Sequence, residues 1–178
     1  MRLPETQHTS RPWRIHDLVP DFHLEDVWEL PWHGRAGDFG GLVVMIVSQD
    51  VSRSSSRAVR VLFAIREMVG ELFGWDGDAS AVGSGAVSLR ERLPADLRET
   101  AGPVFIALPF TSLYLLDDEF AAEAANRTMH GVLHIGWVPD GAGGFRGQMA
   151  VLVKPNGLLG TAYMAAIRPF RHRIVYPA

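Results

Sequence analysis

The sequence predicts an α+β domain built on an antiparallel hairpin and closed by a C-terminal helix. Two observations predict it. Residues 126–156 contain two alternating runs, Thr128 to Val138 and Gly144 to Lys154, separated by Pro139-Asp140-Gly141-Ala142-Gly143. Gly and Asp tolerate the positive φ that a chain reversal needs, so this is a hairpin signal. Residues 157–175 then place Leu158, Leu159, Ala162, Tyr163, Ala166, Ile167, Phe170 and Ile174 at helical spacing, which predicts a helix. Within the hairpin, pairing Val138 with Gly144 sets Met129, Leu133, Ile135 and Trp137 on one face with Phe145, Met149, Val151 and Val153. The other face takes Thr128, His130, Val132 and His134 beside Gln148, Ala150 and Leu152. A slip of one residue would mix the two sets.

The remaining elements follow in order. Residues 1–15 are polar, carry Pro4 and Pro12 and show no period, which predicts a loose arm ahead of a single domain over 16–178. Apolar Phe22, Leu24, Val27 and Leu30 suggest a short first strand near Asp21–Trp28, broken off by Pro31 and Gly34 to Gly37. The apolar run 37–48 suits a strand or a short helix, with Asp38 available as a cap. Ser55 to Phe73 is the clearest helix: Val59, Leu62, Phe63, Val69, Leu72 and Phe73 cluster on one side, and Gly74 provides a stop. Ser88 to Thr100 is amphipathic and interrupted by Pro94. Val104 to Leu116 is strand-like apart from Pro109. The alanines of Phe120 to Thr128 favour a helix, yet this stretch leads directly into a strand, and both readings stand. Asn156 is a good N-cap for the last helix, which Pro169 kinks or splits.

Composition narrows the function classes. With 178 residues, 47% hydrophobic and 21% charged, the chain has the make-up of one globular domain. A net charge of −3 provides no electrostatic footprint for nucleic acid. There is no cysteine, hence no disulfide, thiolate nucleophile or Cys-held metal. No run approaches the length of a membrane span, and the N-terminus lacks a signal-peptide core, which together predict a cytoplasmic protein.

The strings NRTMHGVLHIGWV, GFRGQMAVLVKPNGLLG, AYMAAIRPFRH and LFGWD resemble the DUF2867 family of bacterial proteins, over most of the chain from VPDFHLEDVW onward. That family is similar to the SRPBCC, or START-like, superfamily. The resemblance implies a helix-grip fold, in which a curved antiparallel sheet wraps around a long C-terminal helix and two short helices follow the first strand. Residues 37–48 and 55–73 would be those two helices. It also implies a cavity between sheet and C-terminal helix. Superfamily members use such cavities for lipids, hormones or polyketides, and some catalyse cyclisation or hydration. Fold alone does not assign function.

The candidate residues lie mainly on the hairpin. On a helix, His130 and His134 would share one face and suit zinc. On a strand they stand about 13 Å apart, too far for one ion, so no metal or other cofactor is expected. Each histidine is then either a hydrogen-bonded structural group or an acid–base candidate, with Glu123 the carboxylate most suited to join them. In the acidic run, Asp117, Asp118 and Glu119 read as a solvated turn. Arg127 can hold an anionic group or pair with Glu123. Tyr114, Met129, Leu133, Gln148, Met149 and Tyr163 complete a candidate pocket of apolar walls with few polar anchors. By strand parity Arg127 falls on the apolar face and the histidines on the other, and the mixed face better suits a wet cavity. Three functions follow: a binder of a hydrophobic or amphipathic small molecule, a cofactor-independent cyclase or hydratase using His130, His134 or Glu123, and an interaction protein forming a homodimer through its sheet.

Overall fold

The computed structural model describes residues 1–48, 87–105, 108–126 and 129–157. The helices expected at 55–73 and 157–175, with Arg127 and Tyr163, lie outside the described residues, as does all but Gly157 of the stretch on which the C-terminal element was read. The described fold is α+β. Five strands form one antiparallel sheet: β1 (His23–Gly34), β2 (Thr111–Leu115), β3 (Glu119–Ala125), β4 (Met129–Pro139) and β5 (Phe145–Pro155). Their order is β1-β5-β4-β3-β2, so the first strand pairs with the last.

The β4–β5 hairpin has the faces that the alternation predicts but not the predicted register. Val138 pairs with Arg146 rather than Gly144, and Pro139 with Phe145. The shift is two residues, and a side-chain period of two leaves every residue on its expected face. The turn explains the shift. The Asp140 N–H donates to Gly144 O, and Asp140 Oδ1 accepts from the N–H groups of Ala142 and Gly144. Gly141 and Gly143 take φ of 80° and 90°. The loop therefore runs from Asp140 to Gly144, one residue further at its distal end than the sequence suggested.

Two further expectations are corrected, and one open reading is resolved. Pro31 does not end β1, which continues to Gly34 through a register irregularity between Glu29 and His33. β1 is an edge strand, where a missing N–H costs least. Residues 119–125 are a strand, not an alanine-rich helix. Phe120, Ala121 and Ala122 are fully buried between β2 and β4, so pairing on both edges and burial on both faces override helix propensity. Residues 1–15, expected as a loose arm, are packed. Leu3 N–H donates to Val27 O and Glu29 N–H to Met1 O along the free edge of β1. Two short helices follow, α1 (Thr6–Thr9) and α2 (Arg14–Leu18), which bury His8, Trp13 and Ile15.

Both sheet faces are covered. On one, α3 (Phe39–Ser48) lays Phe39, Leu42, Val43 and Ile46 against Met129, Leu133, Ile135, Met149, Val151 and Val153. The open choice for 37–48 is thus resolved as a helix. A 3₁₀ turn, Ala36–Asp38, precedes it, and Asp38 Oδ2 accepts from the Arg35 N–H, 2.8 Å away, instead of capping α3. Over the other face lie α1, α2, a 3₁₀ turn at Leu89–Arg92 and α4 (Ala95–Arg98), with Pro94 separating the last two as its lack of an N–H dictates. Their Trp13, Ile15, Leu18, Leu89 and Leu97 pack on Val132, Val138, Ala150 and Leu152.

Candidate functional site

The second face carries the polar chemistry. Glu119 and Glu123 are four residues apart on β3, and His130 and His134 four apart on β4. Antiparallel pairing sets Glu119 opposite Gly136 and Glu123 opposite Val132. Each histidine therefore sits on the same diagonal from its carboxylate, and two equivalent Glu–His pairs form. All four residues are buried.

His130 Nε2 lies 2.7 Å from Glu123 Oε2. Glu123 also accepts from Ser88 Oγ at 2.5 Å and from the Leu89 N–H at 2.9 Å. Leu89 opens the 3₁₀ turn, so the carboxylate satisfies an otherwise orphaned donor. Burial pushes Glu123 up, but His130, Ser88 and the Leu89 amide outweigh it and hold the carboxyl below its ordinary range. The Phe22 ring stands edge-on to the His130 imidazole, 5.3 Å between centroids.

Glu119 has more partners. Its Oε2 accepts from the Arg14 N–H and its Oε1 from the Ile15 N–H, both at 2.9 Å, and these are the first two amides of α2. The Tyr114 hydroxyl donates to Oε1 at 2.5 Å. His134 Nε2 is 3.2 Å from Oε1, close enough for an ion pair but off the line of a hydrogen bond. Burial again raises the carboxyl, and His134, Tyr114 and the Arg14 amide outweigh it, holding Glu119 at about 2. Tyr114 reaches this face because a register irregularity between Ser112 and Tyr114 turns both Leu113 and Tyr114 inward. Burial and the adjacent Glu119 push its hydroxyl well above the usual tyrosine range.

From His134 the network continues outward. His134 Nδ1 is 3.0 Å from His8 Nε2, and His8 Nδ1 is 3.2 Å from His16 Nε2. Burial, then the neighbouring His134 and His16, lower His8 to about 3. Trp13 closes the group from above. Its ring lies 5.2 Å from His134 and rests on Gly136, where any Cβ would come within 2.7 Å of it.

Of the residues singled out from the sequence, His130, His134, Glu123 and Tyr114 are thus brought to one face. Gln148 shares it, and its amide donates to Gln7 O at 3.4 Å. Met129, Leu133 and Met149 lie on the opposite face, in the core beneath α3. The pairing expected between Glu123 and Arg127 is not described, since Arg127 lies outside the described residues; Glu123 is held by His130, Ser88 and Leu89. Sequence reasoning missed Glu119, His8 and His16. Glu119 ends an acidic run that reads as a turn, and Asp117 and Asp118 are indeed exposed. One available signal was the matched spacing, Glu-x-x-x-Glu followed by His-x-x-x-His. His8 carries no local signal, because its burial depends on strands more than a hundred residues away.

His8 directs its two nitrogens at two different imidazoles, and no group of three ligands converges among the described residues. No helix among them is long and apolar enough to cross a membrane.

A family model described as a protein of unknown function, DUF2867, matches residues 18–178. No curated protein and no solved structure matches the chain. His8, Trp13, Arg14, Ile15 and His16 precede the matched residues, whereas Glu119, Glu123, His130 and His134 lie within them.

Proposed function

We propose that this chain, which belongs to the DUF2867 family, is a cytoplasmic binder of a hydrophobic or amphipathic small molecule. Its cavity lies between the sheet and a C-terminal helix, on the helix-grip plan of the START-like proteins. The observation that carries this reading is the division of labour between the two sheet faces. Every polar candidate on the histidine face is engaged: both carboxylates hold backbone amides, both histidines face carboxylates, and helices cover them. On the other face Met129, Leu133 and Met149 lie in the apolar layer beneath α3, and Arg127 is the charged candidate that the sequence pattern alone assigns beside them. Apolar walls with one charged anchor suit a ligand with a long apolar body and one anionic end. The pairing of β1 with β5 supports the helix-grip plan, since it makes the sheet continuous from its first strand to its last.

Native mass spectrometry of untagged protein tests for a co-purified ligand. A fluorescent fatty acid serves as the probe in titrations of the native chain, Leu133→Trp and His130→Ala. Leu133→Trp should weaken probe binding at least tenfold, while His130→Ala should lower the melting temperature and leave affinity within twofold. Affinity lost in His130→Ala but kept in Leu133→Trp would place the ligand on the histidine face instead.

That result would favour a second reading, an acid–base enzyme of the cyclase or hydratase type using His130, His134 and Glu123. Its supporting observation is an ionised carboxylate beside a buried imidazole, the arrangement a general base requires. Self-association through a bare sheet face is disfavoured, because helices pack on both faces.

A further inference from the structure

We propose that α1 and α2 form an acid-released latch over the sheet, with His8 as its trigger, so that loss of the neutral His8 ring uncovers Glu119, Tyr114 and His134. This rests on the histidine face alone and is independent of where a ligand binds. Glu119 is the fixed end of the argument. As a carboxylate it only accepts, so the His134 nitrogen facing it carries the proton. His134 Nδ1 must then accept from His8 Nε2, and His8 Nδ1 must accept from His16 Nε2. In this tautomer arrangement both ring–ring hydrogen bonds run in one direction. The rings stand nearly perpendicular, at 83° and 72°, with nitrogen facing nitrogen.

A proton added to this chain has different effects at its two ends. His16 is half-buried and takes a proton on the nitrogen turned away from His8 without losing its bond. His8 is wholly buried, and both its nitrogens face imidazoles. Protonated, it presents a donor to a donor at His16 and adds an uncompensated charge in the core. The groups facing it are His16 of α2, His134 of β4 and, beyond that ring, Glu119 of β3 with Tyr114 of β2. β5 contributes the neutral Gln148. Of the nearby cations, Arg14 is turned outward to Asp96 at 2.8 Å and Arg11 lies over the Trp13 ring. The ionised Glu119 favours a proton on His8, but burial and the two adjacent imidazoles oppose it more strongly. The simplest relief is to move His8 into water, and α1 and α2 move with it. The bonds that resist that motion include the Arg14 and Ile15 amides on Glu119, the Arg14–Asp96 ion pair and the Gln148 contact to Gln7.

The test is amide hydrogen exchange on the full chain from pH 7.5 to 4.5, corrected for intrinsic rates. Protection of Arg14 and Ile15 should fall about tenfold per pH unit once below about pH 6, as one-proton linkage requires. Protection of Leu89, held by Glu123 on the same face, should stay constant over that range. His8→Gln should flatten the response of Arg14 and Ile15. A flat response in the native chain, a parallel fall at Leu89, or an unchanged slope in His8→Gln each overturns the latch. Should His8→Gln fail to fold, the native chain decides alone. The His8 ring carbon shift must then move over the same pH range as the loss of Arg14 and Ile15 protection, and a different range overturns the proposal.

Discussion

The two Glu–His pairs are the same construction in different surroundings. Both span β3 and β4 on the same diagonal, both bury the carboxylate, and both use it to hold the first amides of a covering element. Among the described residues the network stops at Glu123: His130 meets the Phe22 ring, and Ser88 closes the far side. At Glu119 it continues through two more imidazoles to a half-buried one. The carboxylate therefore determines what is held down, and the group behind the histidine determines whether the hold responds to protons. A phenyl ring makes a staple, and an imidazole chain makes a switch.

Replacing the carboxylates separates the pairs most strongly. Glu119→Ala leaves two helix amides and a buried phenol without their acceptor and a buried imidazole without the carboxylate it faces, and should cost about 3–5 kcal/mol in urea unfolding. Glu123→Ala orphans one amide instead of two and should cost measurably less; equal losses would show that the extra bonds of Glu119 contribute nothing. Acid sharpens the contrast further. His8 binds its proton near pH 6.5 when unfolded and at about 3 when folded, so its contribution is complete above about pH 6.5 and declines as pH falls. The slope should approach about 1.4 kcal/mol per pH unit for one proton. The lowered His16 adds in the same direction. Glu119 and Glu123, both lowered, contribute fully above about pH 4.5 and lose stability only below it. Unfolding free energies measured from pH 7 to 5 should thus decline in native protein and in Glu123→Gln, but much less in His8→Gln.

Two smaller changes probe the edges of each network. Gly136→Ala drives a methyl to 2.7 Å from the Trp13 ring. It should cost about 1–3 kcal/mol and shift Trp13 fluorescence, with the Glu123 pair undisturbed. Ser88→Ala removes one hydroxyl from Glu123 and should cost about 1 kcal/mol with no change in the pH profile above 5. A profile altered by Ser88→Ala would mean that the two pairs are coupled along the sheet.

The sheet faces were legible in the sequence because alternation is local: Met129, Leu133 and Ile135 could be assigned against His130, Val132 and His134 from the strand alone. The register was not, since a shift of two residues preserves every face, and only Asp140's bonds to Ala142 and Gly144 fix it. Pairing on both sides made a strand of Phe120 to Ala125, and that information lies in β2 and β4 rather than in the alanines. The candidate site was half legible. His130, His134 and Glu123 stand in strands whose pattern could be followed. Tyr114 turns inward by an irregularity that alternation cannot show, and His8 is buried by partners far along the chain. Even the disposition of Glu119 was concealed by its exposed neighbours Asp117 and Asp118.

The distances along the chain also impose an order of events during synthesis. Arg14 and Glu119 are 105 residues apart, and His8 and His134 are 126 apart. At the usual pace of about 5–20 residues per second, the helices that leave the ribosome first wait roughly 6–25 s for the strands that receive them. In that interval Trp13, Ile15 and Leu18 have no sheet to lie on. The amino-terminal helices are made first and must dock late, and a nascent chain halted before β4 would present them to whatever chaperone stands at the exit.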